Sequence, residues 1–269
     1  MPLQDAAGFP TYRRVLGHGP RRALAIHCSL AHSGAWEQLV AQMDQDLTVT
    51  AFDMPGHGRS ADWDDRGDYQ DVATQIAATM LDAPMDLIGH SFGATVALRL
   101  AVAFPEKVRS LTMIEPVFFA VVEQDNPDAF AAHKRLTKPF EDALVAGDWV
   151  SAARIFSEHW GDGRAWESLT QSNRDALTTR IHLILEGDAA VYGDKAGLLK
   201  PGILDAVNMP CLLVQGSASP AIVGLINAGL VRRLPEAHNI VVNGAGHMVP
   251  ITHPEPVAAA LGALILRAT

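Results

Sequence analysis

The stretch "LIGHSFGATVALRLA", residues 87–101, decides the fold. The residues just before Gly89 are apolar, as in a buried strand, and the pattern from Phe92 to Phe104 indicates a helix that ends at Pro105. Between the strand and the helix the chain reads Gly-x-Ser-x-Gly, with Ser91 at the centre. A serine on so tight a strand-to-helix turn has an exposed hydroxyl above a helix N-terminus. The stretch therefore predicts a nucleophilic serine.

Short apolar runs elsewhere in the chain alternate with helical patterns. Strand-like runs cover 23–27, 47–52, 87–89 and 108–114, and two more, "CLLVQG" and "NIVVNG", follow Pro210. A strand, a helix and a second strand in that order imply a parallel pair, because parallel strands need a crossover between them. The predicted fold class is α/β with a mostly parallel sheet.

The region after about Val117 has a different character. Strand-like runs disappear, and "FEDALVAGDWVSAARIFSEHW" (140–160) and "SNRDALTTRIHLILEG" (172–187) place apolar residues at the i, i+3, i+4 spacing of helices. We therefore predict an α/β core formed by 1–116 and 205–269, interrupted by a helical cap at 117–204.

Composition and charge exclude several classes of protein. The 269 residues are 48% hydrophobic, and the net charge is −9 without any basic run, so a nucleic acid partner is not expected. No apolar run reaches the ~20 residues of a membrane span, and the first residues show no apolar signal segment. We expect a cytoplasmic protein that does not bind a membrane. Cys28 and Cys211 lie in apolar runs and predict buried thiols, not a disulfide or metal site.

Three further segments, together with the serine turn, resemble the α/β-hydrolase superfamily. "AIHCSLAHSGAW" (25–36) is similar to its H-G-x loop, "TVTAFDMPGHGRS" (48–60) to its D-x-P-G-H-G-x-S loop, and "VVNGAGHMVPITHPEPV" (241–257) to its C-terminal G-x-G-H segment. The four segments occur in the family's order, and the resemblance extends over nearly the whole chain outside the cap. The resemblance implies the α/β-hydrolase fold, with helices on both sides of the sheet.

The resemblance also implies roles for residues in these segments. His247 corresponds to the base that takes the proton of Ser91, in the family order of serine, acid and histidine. Backbone N–H groups of Phe92 and Ser29 correspond to the oxyanion hole. The chain departs from the family where Cys28, not glycine, follows the histidine of the first loop.

The acid of the family's triad is absent from its usual place. The family carries an aspartate in a G-x-x-D pattern, whereas Gly216 is followed three residues later by Ser219. Glu115 directly follows the strand-like run after the Ser91 helix, and the strands of such a crossover end on the same edge of the sheet. We therefore predict Glu115 as the triad acid. The alternatives are a solvated strand end, a Ser–His dyad assisted by water, and an acid from the cap.

These residues imply acyl transfer to water from a small acyl substrate. An ester, a lactone or a thioester fits this chemistry, and no cofactor or metal is called for. We expect the pocket between core and cap, lined by Trp36, Phe118 and Phe119. The same triad could cleave a C–C bond or an amide, or form a peracid. A non-catalytic ligand-binding protein is the other alternative, and Ser219 in the aspartate position favours it.

Overall fold

The computed structural model describes residues 2–43 and 45–268. A two-stranded antiparallel sheet pairs β1 (Gln4–Ala6) with β2 (Phe9–Thr11). The main sheet contains β3 (Arg13–Gly17), β4 (Arg21–Ile26), β5 (Leu47–Phe52), β6 (Met85–His90), β7 (Val108–Ile114), β8 (Cys211–Gly216) and β9 (Ala237–Val242). Its spatial order is β3-β5-β4-β6-β7-β8-β9, and only β3 runs antiparallel to its neighbour. The α/β-hydrolase fold class is confirmed.

The helices of the core are α1 (Glu37–Ala41), α2 (Tyr69–Ala78), α3 (Phe92–Ala103), α10 (Ala221–Arg233), α11 (Val249–Thr252) and α12 (Pro254–Arg267). Between β7 and β8 the chain forms α4 (Ala120–Asp125), α5 (Pro127–Val145), α6 (Trp149–Trp160), α7 (Gln171–Arg180), α8 (Leu183–Glu186) and α9 (Asp188–Val191). We call α4 to α9 the inserted helices. Short 3-10 helices cover Ser33–Trp36, Pro105–Lys107, Trp166–Ser168 and Leu204–Ala206.

Alternating side chains build a core on each face of the sheet. In β4, Leu24 and Ile26 pack into the cluster that also contains residues of α2, α3 and α10. Ala23 and Ala25 of the same strand face the opposite cluster, which α1 and α12 complete. This period of two is what a pleated strand imposes, so both faces of the sheet are covered by helices.

The inserted helices have a small core of their own. Leu144, Ala152 and Trp166 are buried there, with Leu30 of the main domain packed against the cluster. The helical pattern predicted over 140–160 is broken at Gly147, where φ is +70°. Asp148 then caps α6, because its side chain accepts a hydrogen bond from the N–H of Ser151.

No helix within residues 2–43 and 45–268 combines the length and hydrophobicity needed to cross a lipid bilayer.

Candidate active site

The serine turn lies where β6 ends and α3 begins. Ser91 has φ +55°, a left-handed conformation that is uncommon outside glycine. A Cβ atom at Gly89 would lie 2.4 Å from the carbonyl oxygen of Gly93, and one at Gly93 would lie 2.2 Å from that of Ile26. Both positions therefore require glycine. The turn holds the Ser91 hydroxyl at the carboxyl edge of the sheet.

Ser91, His247 and Glu115 form a continuous chain of hydrogen bonds. His247 follows β9 on a loop, and its Nε2 lies 3.0 Å from the Oγ of Ser91. Its Nδ1 lies 3.0 Å from the Oε2 of Glu115. All three side chains are buried, and Glu115 is 0% exposed. An Nδ1–H that donates to the carboxylate leaves Nε2 free to accept the serine proton, which is the tautomer that a general base needs.

Glu115 is held from several sides. Its φ is +51°, and its N–H donates to the carbonyl of Val214 on the neighbouring strand at 2.8 Å. Its Oε1 accepts hydrogen bonds from the N–H of Gly216 at 2.6 Å and from the hydroxyl of Ser219 at 2.8 Å. A buried carboxylate oxygen needs such donors. Oε2 is thereby left directed at His247.

The contact of Ser219 with Glu115 was missed by the sequence analysis. In the sequence, Ser219 at the place where the resemblance implies an aspartate indicates a missing acid and favours a non-catalytic protein. The structure shows that its hydroxyl is a hydrogen-bond donor to the carboxylate one strand away. The sequence contained one signal of this contact. A serine, whose hydroxyl can donate a hydrogen bond, replaces the implied aspartate, whose carboxylate can only accept one.

The loop after β4 reaches the cavity that lies above Ser91. Cys28 and Ser29 line this cavity together with Ser91 and Phe92. The next residue, Leu30, has φ +63°, and its N–H donates to the Nε2 of His57 at 2.9 Å. Burial raises the pKa of the Cys28 thiol to about 12, which makes it a poor nucleophile.

Three buried histidines support the site without lying in the hydrogen-bonded chain. The Nε2 of His27 accepts the N–H of Met54 at 2.9 Å, and the Nε2–H of His90 donates to the carbonyl of His247 at 2.9 Å. Burial lowers the pKa of His27 to about 4 and those of His57 and His90 to about 3. Neutral imidazoles therefore connect the loops of Ser29 and His247 to the rest of the core.

The cavity above Ser91 lies between the core and the inserted helices, and its volume is about 110 Å³. Trp160 packs edge-on against His247, with ring centroids 4.7 Å apart. Phe119 stacks on Tyr192 at 4.6 Å. The walls are mainly apolar, with Thr137, Glu141 and Asp188 as polar members. Burial raises the pKa of Asp188 to about 6.

The three predicted pocket residues lie in different places. Phe118 and Phe119 both belong to the core cluster of α2, α3 and α10, but only Phe119 also lines the cavity. The prediction for Trp36 is also wrong. Its indole is buried in the cluster on the opposite face of the sheet, with Leu39 and Val40. Trp160 and Tyr192, which the sequence analysis did not select for the pocket, stand in their place.

The described residues contain no group of three or more histidine, cysteine or acidic side chains that could hold a metal ion.

Comparison with known proteins defines the class. The family model described as "Alpha/beta hydrolase family" matches residues 23–260, so the chain belongs to the α/β-hydrolase family. A putative acyltransferase from Salmonella enterica shares the fold with a TM-score of 0.80 at 18% identity, covering 100% of this chain and 95% of that one.

Two relatives from curated proteins are similar over most of their length. The pimeloyl-[acyl-carrier protein] methyl ester esterase of Neisseria meningitidis serogroup B (strain MC58) is 28% identical, covering 92% of this chain and 93% of that protein. Lipase LipV of Mycobacterium tuberculosis is 29% identical, covering 90% and 92%.

Proposed function

We propose that this protein hydrolyses carboxylic ester bonds through an acyl-enzyme formed on Ser91. The observation that carries the proposal is the buried hydrogen-bonded chain from Ser91 through His247 to Glu115, with 3.0 Å at both steps. The chain is located beside a mainly apolar cavity. The esterase and lipase relatives support the same reaction.

The reaction proceeds in two halves. The Oγ of Ser91 attacks the ester carbonyl while the Nε2 of His247 takes its proton, and Glu115 stabilises the imidazolium that results. The negative charge on the tetrahedral oxygen is stabilised by the N–H groups of Phe92 and Ser29. When this intermediate collapses, His247 gives the proton to the leaving alkoxide, and the alcohol departs. Water then attacks the acyl-enzyme by the same route, which releases the acid and restores Ser91.

The cavity favours an uncharged acyl group of small to medium size. Phe119, Trp160 and Tyr192 give its wall near the serine an aromatic character, which suits an aliphatic or aromatic acyl chain. A lactone or a thioester presents the same carbonyl to Ser91 and belongs to the same proposal.

The alternative of a non-catalytic binding protein loses its main support. It was favoured because Ser219 replaces an aspartate, but Ser219 donates a hydrogen bond to Glu115, which brings a carboxylate to His247 from the next strand. The side chains proposed as nucleophile, base and acid are thus hydrogen-bonded to one another.

Hydrolysis of p-nitrophenyl butyrate tests the proposal. Ser91→Ala removes the nucleophile, and we expect kcat to fall by about 10⁴-fold or more. Ser172→Ala, which changes an exposed serine of α7, is the matched control and should retain wild-type activity. Equal activity of wild type and Ser91→Ala, with unchanged circular dichroism spectra, would refute the proposal.

A further inference from the structure

A second cavity borders the residues that follow Ser29 in the same loop. Its volume is about 370 Å³, and its lining includes Leu30, Ala31 and His32 of that loop. Three arginines, Arg14, Arg59 and Arg180, also line it. We call this cavity the arginine cleft. Since Cys28 and Ser29 line the first cavity, one continuous loop forms a wall of both.

Two of the three guanidinium groups have no carboxylate partner among residues 2–43 and 45–268. Arg59 lies over the ring of Tyr12, 5.1 Å from its centroid, and donates to the Tyr12 hydroxyl at 3.3 Å. Arg180 donates its Nε–H to the carbonyl of Gly56 at 3.2 Å and an Nη1–H to the carbonyl of Ala176 at 3.4 Å. Arg14 is ion-paired with Glu37. Arg59 and Arg180 therefore keep N–H groups for a further acceptor.

The one acid of the cleft is hydrogen-bonded to the backbone and not to the guanidinium groups. Asp53 is buried, and its two oxygens accept backbone N–H groups of Ser33 at 2.6 Å and of Arg59 at 2.8 Å. Two unpaired guanidinium groups against one carboxylate leave the cleft with an excess of positive charge, on a chain whose net charge is −9. Guanidinium groups without an ion-pair partner are a common means of binding a tetrahedral oxyanion, because each presents parallel N–H donors.

We propose that the arginine cleft binds a phosphate or phosphate-ester group next to the loop that carries Ser29. The group is supplied in one of two ways, by the alcohol part of the ester substrate or by a separate phosphate-bearing molecule. Only the first source depends on the proposed esterase function, since binding of a free anion needs no turnover.

Direct binding tests the site. Inorganic phosphate and pyrophosphate are titrated into the intact protein at low salt, with calorimetry as the readout. We expect saturable binding that weakens at least tenfold in Arg59→Gln and further in the double variant Arg59→Gln/Arg180→Gln. Arg59→Gln is the cleaner single change, because Arg180 also anchors α7 to Gly56.

Arg135→Gln is the matched control, since it removes one positive charge from an exposed position of α5 outside both cavities. It should bind phosphate and pyrophosphate as the wild type does. Absence of saturable binding, or equal weakening by Arg59→Gln and Arg135→Gln, would overturn the proposal.

Kinetics separate the two sources once binding is seen. A butyryl ester with a phosphate on its alcohol is compared with the same ester lacking the phosphate. If the substrate supplies the phosphate, Arg59→Gln raises KM at least tenfold for the phosphorylated ester relative to the plain one. If a separate molecule supplies it, the two esters respond equally to Arg59→Gln while phosphate binding is still weakened.

Discussion

The carboxyl edge of the sheet and the inserted helices form opposite walls of one cavity by different means. At the sheet edge, Ser91 and Glu115 follow adjacent parallel strands, and backbone hydrogen bonds fix both in left-handed conformations. The inserted helices contribute side chains such as Trp160 and Tyr192, which pack by ring contacts. We therefore expect the edge to determine the reaction and the insertion to determine which acyl group fits.

Of the changes that test this comparison, the substitution of Glu115 should cause the largest loss of activity. Glu115→Gln keeps the shape and can still accept from Gly216 and Ser219, but it removes the charge that stabilises the His247 imidazolium. We expect kcat for p-nitrophenyl butyrate to fall about 10³- to 10⁴-fold with little change in KM. Glu123→Gln, at an exposed position of α4, is the control and should leave kcat unchanged. Near-wild-type kcat in folded Glu115→Gln would make Glu115 a structural residue.

Ser219 should have a smaller effect through the same carboxylate. Ser219→Ala removes one of the two donors to Oε1, and a hydrogen bond to a charged group is worth ~1.5–3 kcal/mol. Since only part of this is lost from the transition state, we expect kcat to fall roughly tenfold at constant KM. Ser219→Thr retains a hydroxyl and should recover most of the activity. An equal loss of kcat in the alanine and threonine variants would show that a hydroxyl donor at residue 219 does not support activity.

In the inserted helices, a change of Trp160 should alter the selectivity for the acyl group and leave Ser91, His247 and Glu115 in contact. Trp160→Phe keeps an aromatic ring near His247 and enlarges the cavity. The ratio of kcat/KM for a hexanoyl ester over a butyryl ester should rise about three- to tenfold. Trp149→Phe, at the other end of α6 and partly exposed, is the matched control. An unchanged ratio in Trp160→Phe would mean that this wall does not contact the acyl group.

The smallest effect concerns Asp188 and stability. Its pKa is raised by burial to about 6, so the native state holds its proton more tightly than the unfolded chain does. The free energy of unfolding therefore falls as pH rises from about 4 to about 6. Because the side chain is only partly buried, we expect a loss of about 1 kcal/mol.

Urea unfolding at pH 4 and pH 7 measures this loss. Asp188→Asn should abolish the contribution of this side chain to the pH dependence of stability. The variant should also be more stable than wild type at pH 7. Asp175→Asn, at an exposed position of α7, is the control. A wild type and an Asp188→Asn variant with the same pH dependence would contradict the assignment.

The sequence predicted the sheet edge better than the insertion. Leu47–Phe52 and Val108–Ile114 have the bounds that their apolar runs indicate, and Ser91, Glu115 and His247 meet as their places at strand ends suggest. Such residues are predictable because parallel strands joined by right-handed crossovers all end on one edge. The β3 strand, Arg13–Gly17, was missed because it is a polar edge strand without a core pattern.

Pocket walls could not be predicted in the same way. Phe118 and Phe119 are adjacent in sequence, yet only Phe119 lines the cavity. The indole of Trp36 packs in the cluster on the opposite face of the sheet. Side-chain direction in a loop follows from tertiary packing, which no spacing rule encodes. The contact of Ser219 with Glu115 depends likewise on how two neighbouring strand ends approach each other.

The most direct test of a Ser91–His247–Glu115 triad is the rate at which a fluorophosphonate probe labels the protein, because this step needs an activated serine but no particular substrate. The rate is followed by intact-mass spectrometry in wild type, Glu115→Gln and Ser91→Ala. We predict rapid single labelling of wild type, labelling slowed about 10³-fold in Glu115→Gln, and none in Ser91→Ala. Labelling of folded Glu115→Gln at the wild-type rate would contradict the account.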